Sequence, residues 1–382
     1  MLNSQFIYSD KPSSRHALRV TRYASRVTIE RGSYMRKIID YRSDTVTLPT
    51  ENMRKAIFEA PLGDDVMGED PSVNRLQKLA ATLTGKEDAL LVTSGTQGNQ
   101  IAIKSHTAPG DEIIVEEISH IFIHELGGSA AISGVQTKVL HGKYGIMEPG
   151  EIARKINIED DHMAGTKLIC IESPHCMAGG VVIPLEVMKE YHDIATKHNI
   201  KIHLDGARLF NGGTYLKKDV REITRYVDSV MFCLSKSLCA PVGSMLCGTR
   251  EFIGKARRIR KMLGGGMRQA GIIAAPGIVA LEEMTQRLSE DHEHALILAR
   301  AIADMPGITI DLNTVQTNMV FFNIKDAPVF VKKLEKEGIL CWDTSKEMIR
   351  LVTHYYITEE DVSYTIEKFR EILKGGGVKS EE

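Results

Sequence analysis

The sequence predicts an α/β protein, with a large domain on a mostly parallel sheet followed by a smaller α+β domain. Three observations carry that expectation. Short apolar runs recur between residues 89 and 235 and are rich in β-branched residues and cysteine, the composition of strands buried on both faces. Helical patterns separate them, as crossover connections between parallel strands require. At 382 residues the chain exceeds the ~250–300 that one core supports, and its pattern changes after about residue 272.

In chain order, VNRLQKLAATLT (73–84) carries apolar residues at helical spacing and stops at Gly85. ALLVTSG (89–95), EIIVEE (112–117), KLICIES (167–173), KIHLDGA (201–207) and VMFCLS (230–235) read as buried strands. PLEVMKEYHDIATKH (184–198) is an amphipathic helix, with Pro184 suited to its first turn. Two long helical stretches follow residue 272, then the strand-like ITIDLNTVQTNMVFFNI (308–324) and MIRLVTHY (348–355), and the GGGVKSEE terminus reads as frayed. The expected organisation is an extension over 1–34, a leading segment over 35–60, the large domain over 61–272 and the small domain over 273–382.

Residues 1–34 differ from the rest. Lys11, Arg15, Arg19, Arg22, Arg26 and Arg31 face only Asp10 and Glu30. Such a stretch fits an organelle transit peptide, a disordered tail, or sequence upstream of the true start. The last two are favoured, because MRKIIDYRSDTVT from Met35 looks like a natural domain start.

Over the whole chain the charge is balanced, 48 basic against 50 acidic residues, which offers nothing to nucleic acid or an anionic membrane surface. No apolar run approaches the roughly 20 residues of a membrane span. Six scattered cysteines without a CxxC pair suggest buried thiols in a reducing, cytoplasmic setting.

Four places carry chemistry. Lys236 closes an apolar strand, an odd place for a solvated charge; lysine there can form a Schiff base, or can snorkel to the surface. Thirty-one residues earlier, Asp205 ends another buried strand in HLDGARLF. Alone it could cap a helix. Together, an aspartate and a lysine at neighbouring strand tips can reach opposite ends of one flat ring, as a pyridoxal phosphate (PLP) site requires. VTSGTQGNQ (92–100) runs a strand into Ser94, Gly95 and Thr96 and then a helix starting near Gln97, which makes an anion site for a phosphate or an ordinary capped turn. ISHIFIHELGG (118–128) supplies His120, His124 and Glu125; His120 can stack on a ring and move protons. Glu125 lies outside the histidine pair, unlike HExxH, so no metal is expected.

With these elements in this order, the chain resembles the threonine aldolase group of the β-eliminating lyase family, PLP enzymes of fold type I. The resemblance runs from about Lys37 to Val362 and is carried by DYRSDTVTLPT (40–50), GDDVMGEDPSVNRL (63–76), SGTQGN (94–99), HIFIHELGG (120–128), HLDGARLFN (203–211), FCLSKSLCAPVGS (232–244), RKMLGGGMRQAG (260–271) and RLVTHY (350–355). It implies that Lys236 holds PLP, Asp205 meets the pyridine nitrogen, Ser94, Gly95 and Thr96 hold the phosphate, and His120 stacks on the ring. It further implies that Ser43, Arg208 and Arg350 grip a substrate carboxylate beside His124 and Glu125. Arg208 would also touch the cofactor. Arg268 would cross to a neighbour's site in a homotetramer, a dimer of dimers, and His162 would lie near the substrate hydroxyl.

The chain departs from the family pattern at His124, in ESPHCMAGG (172–180), at Ser237 and at Gly165. None of these touches Lys236, Asp205 or Arg350. The expected reaction is retro-aldol cleavage of threonine or allo-threonine to glycine and an aldehyde, with Lys236, His120 and His162 as catalytic residues. Another PLP-dependent lyase or transaminase is the alternative. A non-catalytic amino-acid sensor is the rival from a different class, and 34 N-terminal residues are too few for its DNA-binding domain.

Overall fold

A computed structural model describes residues 28–29 and 36–374. The basic extension, apart from Thr28–Ile29 paired with Arg36–Lys37, and the 375–382 tail lie outside the described residues. Seven strands form the main sheet: β1 (Asp88–Val92), β2 (Glu112–Glu116), β3 (Gln136–Leu140), β4 (Thr166–Glu172), β5 (Lys201–Asp205), β6 (Ser229–Cys233) and β7 (Ser244–Gly248). Their spatial order is β1-β7-β6-β5-β4-β2-β3. β3, β2, β4, β5 and β6 pair in parallel, and β7 is antiparallel to both of its neighbours.

The five strands expected from sequence all form, because each is a run of apolar side chains covered on both faces. Two others had no such signal. β3 is a partly exposed edge strand, QTKVL, without a continuous apolar run. β7 follows so closely on the Lys236 turn that its apolar residues read as the tail of that motif. Boundaries also shift slightly. The helix after β1 spans Gly95–His106, two residues earlier than expected, because Ser94 caps it by accepting the Gln97 N–H. Pro184 stands just before the Leu185–His198 helix rather than within its first turn.

The second sheet is antiparallel: β8 (Ile308–Thr309), β9 (Met319–Ile324), β10 (Trp342–Asp343) and β11 (Met348–Val352), in the order β8-β9-β11-β10. Its core gathers Phe322, Phe330 and Phe369 around the helices Leu288–Ala303, Ala327–Lys336 and Glu359–Lys374. The helix Gly271–Glu282 packs with the core of the main sheet, and the two cores divide between Leu288 and Ala295.

The start of the chain joins both cores. Ile39–Asp40 pairs with Ile339–Leu340, Tyr41 is buried in the smaller core, and helix Glu51–Glu59 packs on Gly271–Glu282. Residues 43–47 are thereby drawn across the C-terminal edge of the main sheet. Among the described residues no helix is long and apolar enough to cross a membrane.

Candidate active site

β1, β2, β4, β5 and β6 all end at one edge of the sheet, and each delivers a functional group there. Ser94 and Gly95 follow β1, His120 follows β2, Glu172 and Asp205 end β4 and β5, and Lys236 follows β6. Ligands of open α/β sheets bind at this edge. Gly95, Asn99, His120, Glu172, Cys176, Asp205, Arg208 and Lys236 line one small cavity there.

Lys236 is fixed by its backbone. Its carbonyl accepts from Cys239 N–H at 2.9 Å and from Thr47 Oγ1 at 2.9 Å, and the turn closes with Leu234 N–H on Gly243 carbonyl at 3.0 Å. Cys239 at φ 63° and Gly243 at φ 103° let the chain reverse within so few residues. Asp205 lines the same cavity as Lys236. Its Oδ1 accepts Ala207 N–H at 3.0 Å and its Oδ2 accepts the Asn99 amide at 2.8 Å, so the buried carboxylate is held from behind.

His120 heads a short helix. Glu172 Oε2 accepts its backbone N–H at 2.7 Å, and its Nδ1 lies 2.9 Å from Glu125 Oε1. Glu125 is buried and also receives Asn99 and Gln100 amides, at 2.8 and 2.6 Å. Burial disfavours a charged His120, but the Glu125 hydrogen bond and the charges of Asp205, Glu125 and Glu172 outweigh it and raise its pKa. His124 is exposed, its ring 5.4 Å from His120; desolvation and the neighbouring His120 depress its pKa. His120, Glu125 and Asp205 form a possible ligand set, with donor atoms within 4.8 Å of one another. Both carboxylates, however, already accept the amide of Asn99.

The first turn of helix Gly95–His106 opens on the same edge. The N–H groups of Gly95 and Thr96 stand at its N-terminus, where no intrahelical acceptor exists. A Cβ on Gly95 would meet Cys233 Sγ and Met231 Cε at 3.1 Å, so glycine lets the helix start close against β6.

Two arginines gather beside the cavity, Arg208 in its lining and Arg350 outside it near Cys176. Arg208 donates from Nε and Nη2 to both oxygens of Asp44, at 2.8 and 2.7 Å, with both residues buried. Asp44 also receives Ser237 Oγ at 2.7 Å. Ser43 caps the short turn over Asp44–Val46 by accepting Thr45 N–H. Arg350, on β11, is buried; its Nη2 donates to the Arg42 carbonyl at 2.9 Å and its guanidinium lies over the Trp342 ring. Its Nε has no partner, and Cys176 Sγ lies 3.8 Å from Nη1.

Of the expected site residues, Gly95, His120, Asp205, Arg208 and Lys236 line the cavity, Ser43, Ser94, Thr96, His124, Glu125 and Arg350 are outside its lining, and two more, His162 and Arg268, lie apart from it. His162 is exposed in the loop before β4, at the opposite end of that seven-residue strand, roughly 20 Å from the site edge. Arg268 is exposed and pairs with Asp64 at 2.9 Å. Sequence reasoning also missed residues that the fold places here: Asp44, Asn99, Glu172 and His175. His175 is buried 3.1 Å from Glu116 and 3.8 Å from Glu172, and these carboxylates raise its pKa against the effect of burial. Glu172 and His175 lie in the quoted ESPHCMAGG, where two ionisable residues following a buried strand were a signal that could have been used.

Comparison with known proteins shows the family and the fold. Residues 40–325 match the family described as Beta-eliminating lyase. The chain is 40% identical over 346 residues to a probable low-specificity L-threonine aldolase 2 of Arabidopsis thaliana, covering 88% of this chain and 98% of that one. It is 40% identical over 339 residues to the low specificity L-threonine aldolase of Escherichia coli (strain K12), covering 88% and 99%. The fold is similar to that of Leishmania major threonine aldolase (TM-score 0.76, 18% identity, 88% and 99% covered). It is also similar to Sphingomonas wittichii serine palmitoyltransferase (TM-score 0.72, 17% identity, 96% and 98% covered). The chain is therefore a lyase of the beta-eliminating lyase family, with the fold of type I PLP enzymes, and it belongs among the threonine aldolases.

Proposed function

We propose that the protein binds PLP at the C-terminal edge of the main sheet and cleaves L-threonine and L-allo-threonine to glycine and acetaldehyde. The observation that carries this reading is the placement of Lys236 and Asp205 on one cavity beside the first turn of helix Gly95–His106. A primary amine, a carboxylate held from behind and an open anion site are the three groups a pyridoxal phosphate needs, so the residues fit it. When bound, the cofactor supplies a protonated pyridine ring that accepts the electron pair released at Cα.

The chain's own residues do the rest. Lys236 would hold the cofactor through its side-chain amine. Asp205 would meet the ring nitrogen, and Ser94, Gly95 and Thr96 would receive the phosphate. Arg350 is the fork that grips the substrate carboxylate, since Arg208 spends Nε and Nη2 on Asp44. Arg208 lines the cavity and, with Ser43, supports that end of it. Such gripping fixes rotation about N–Cα, and orientation of this kind contributes several kcal/mol. His120 would stack on the ring face, and with Nδ1 tied to Glu125 its Nε2 is left to take the β-hydroxyl proton.

We extend the reading to a cytoplasmic homotetramer with sites at subunit interfaces. In that assembly Arg268, exposed where it pairs with Asp64, serves a neighbouring site.

The test is to incubate the purified protein and PLP with L-threonine, L-allo-threonine and L-serine. Glycine with acetaldehyde from the first two is expected. Pyruvate from serine as the main product would move the assignment to β-elimination, and no turnover would remove it. An active monomer in sedimentation would remove the tetramer.

A further inference from the structure

Asn99 stands between the two buried carboxylates of the site. Its Nδ2 lies 2.8 Å from Asp205 Oδ2 and 2.8 Å from Glu125 Oε1, so both amide hydrogens are spent on them. Flipping the amide would set its oxygen against two carboxylates. Asn99 Oδ1 must therefore accept, and its partner is His203 Nε2 at 3.1 Å.

His203 lies wholly buried in β5, two residues before Asp205. Burial pushes its imidazole down to about 4 despite nearby Asp205, so the ring is neutral and carries one N–H. That hydrogen is on Nε2, because Asn99 Oδ1 can only accept. Nδ1 is then an acceptor and takes the Ser229 hydroxyl at 2.9 Å. Ser229 Oγ in turn accepts from His106 Nε2 at 2.8 Å. His106 is stacked on Phe252 with ring centroids 4.5 Å apart, and burial pushes it down to about 3. The polarity of every link is thus set, and each hydrogen points towards Asp205 and Glu125. An amide cannot relay a proton along such a chain, so its role is orientation.

We infer that His203 and Asn99 are positioning residues: the chain His106–Ser229–His203–Asn99 locks one tautomer and one amide orientation. It thereby couples Asp205, which faces the ring nitrogen, to the stacking His120 through a single side chain. The inference rests on the PLP reading of this site.

The experiment compares His203→Phe, which keeps a buried ring without a donor, with His203→Gln, which restores an N–H near the Nε2 position. PLP affinity of the apoprotein, the visible absorption of the bound cofactor, and kcat and KM for threonine are measured. His203→Phe should bind PLP about tenfold more weakly, the scale of one lost hydrogen bond in a charged network, with an altered cofactor spectrum. KM should stay within about twofold, because no substrate contact is touched. His203→Gln should recover most of the affinity.

Wild-type PLP affinity and spectrum in His203→Phe would overturn the inference, as would a His203→Gln variant no better than His203→Phe. If thermal unfolding shows that His203→Phe does not fold, Ser229→Ala decides. It leaves His203 in place but frees its Nδ1, and PLP affinity should fall by a few fold; no change would overturn the inference. A wild-type protein that takes up no PLP on Lys236 would instead remove the reading beneath it.

Discussion

Asp44 and Arg208, 164 residues apart in sequence, meet as a two-pronged ion pair at 2.8 and 2.7 Å beneath the active cavity. Burial alone would raise the Asp44 pKa, but the charges of Arg208 and Lys236 and the Ser237 hydroxyl hold it well below the usual carboxylate range. A depressed carboxylate pKa adds stability above the ordinary value of ~3.9, and that contribution is lost as pH falls through the lower folded value.

Asp44→Asn should therefore destabilise the protein by about 3–5 kcal/mol, because it strands a buried guanidinium. It should also flatten the acid limb of the stability profile. Denaturant titration at neutral and acid pH checks both, and a loss under about 1 kcal/mol would show that Arg208 finds another partner.

Glu125 raises the pKa of His120 through a 2.9 Å hydrogen bond. If neutral His120 takes the hydroxyl proton, the acid limb of kcat/KM follows this pKa. Glu125→Gln removes the negative partner, so His120 should titrate lower and the limb should move to lower pH. The pH–rate profile of the variant reads this directly, and an unmoved limb would assign that titration to another group.

Arg350→Lys should raise KM for threonine roughly 10- to 100-fold, since lysine lacks the fork that meets two carboxylate oxygens. PLP affinity should change little. Steady-state kinetics with a parallel PLP titration separates the two, and an unchanged KM would take Arg350 out of substrate binding.

What the sequence shows of this site is what lies at the tips of apolar strands. Lys236, Asp205 and Gly95 are legible because each ends a run that can only be a buried strand, and parallel strands bring such ends to one edge. Asp44 is not legible, since its partner lies far along the chain and nothing in RSDTVT marks a buried ion pair. Asn99 reads as one more polar residue of a capped helix until β5 is packed against that helix. His162 illustrates the converse. Its motif placed it near the substrate, yet it precedes β4 where the other groups follow their strands, so it emerges at the other end of the sheet.

That placement makes a prediction about the base. His120 is held over the cavity by Glu125 and by the Glu172 bond to its backbone, while His162 is exposed outside it. His120→Phe retains a ring for stacking but has no nitrogen to take a proton. It should bind PLP and lose ~100- to 10,000-fold in kcat for threonine, the usual cost of removing a general base. His162→Phe should leave kcat within about threefold, because no reacting atom lies within its reach in its own chain. Measuring both variants against L-threonine and L-allo-threonine tests the pair together. Wild-type cleavage by His120→Phe would reduce that residue to stacking and pass the proton to a bound water. A large loss in His162→Phe would mean that the loop before β4 serves the site of a neighbouring subunit, and mixing the inactive His162→Phe and Lys236→Ala chains should then restore activity in hybrid oligomers.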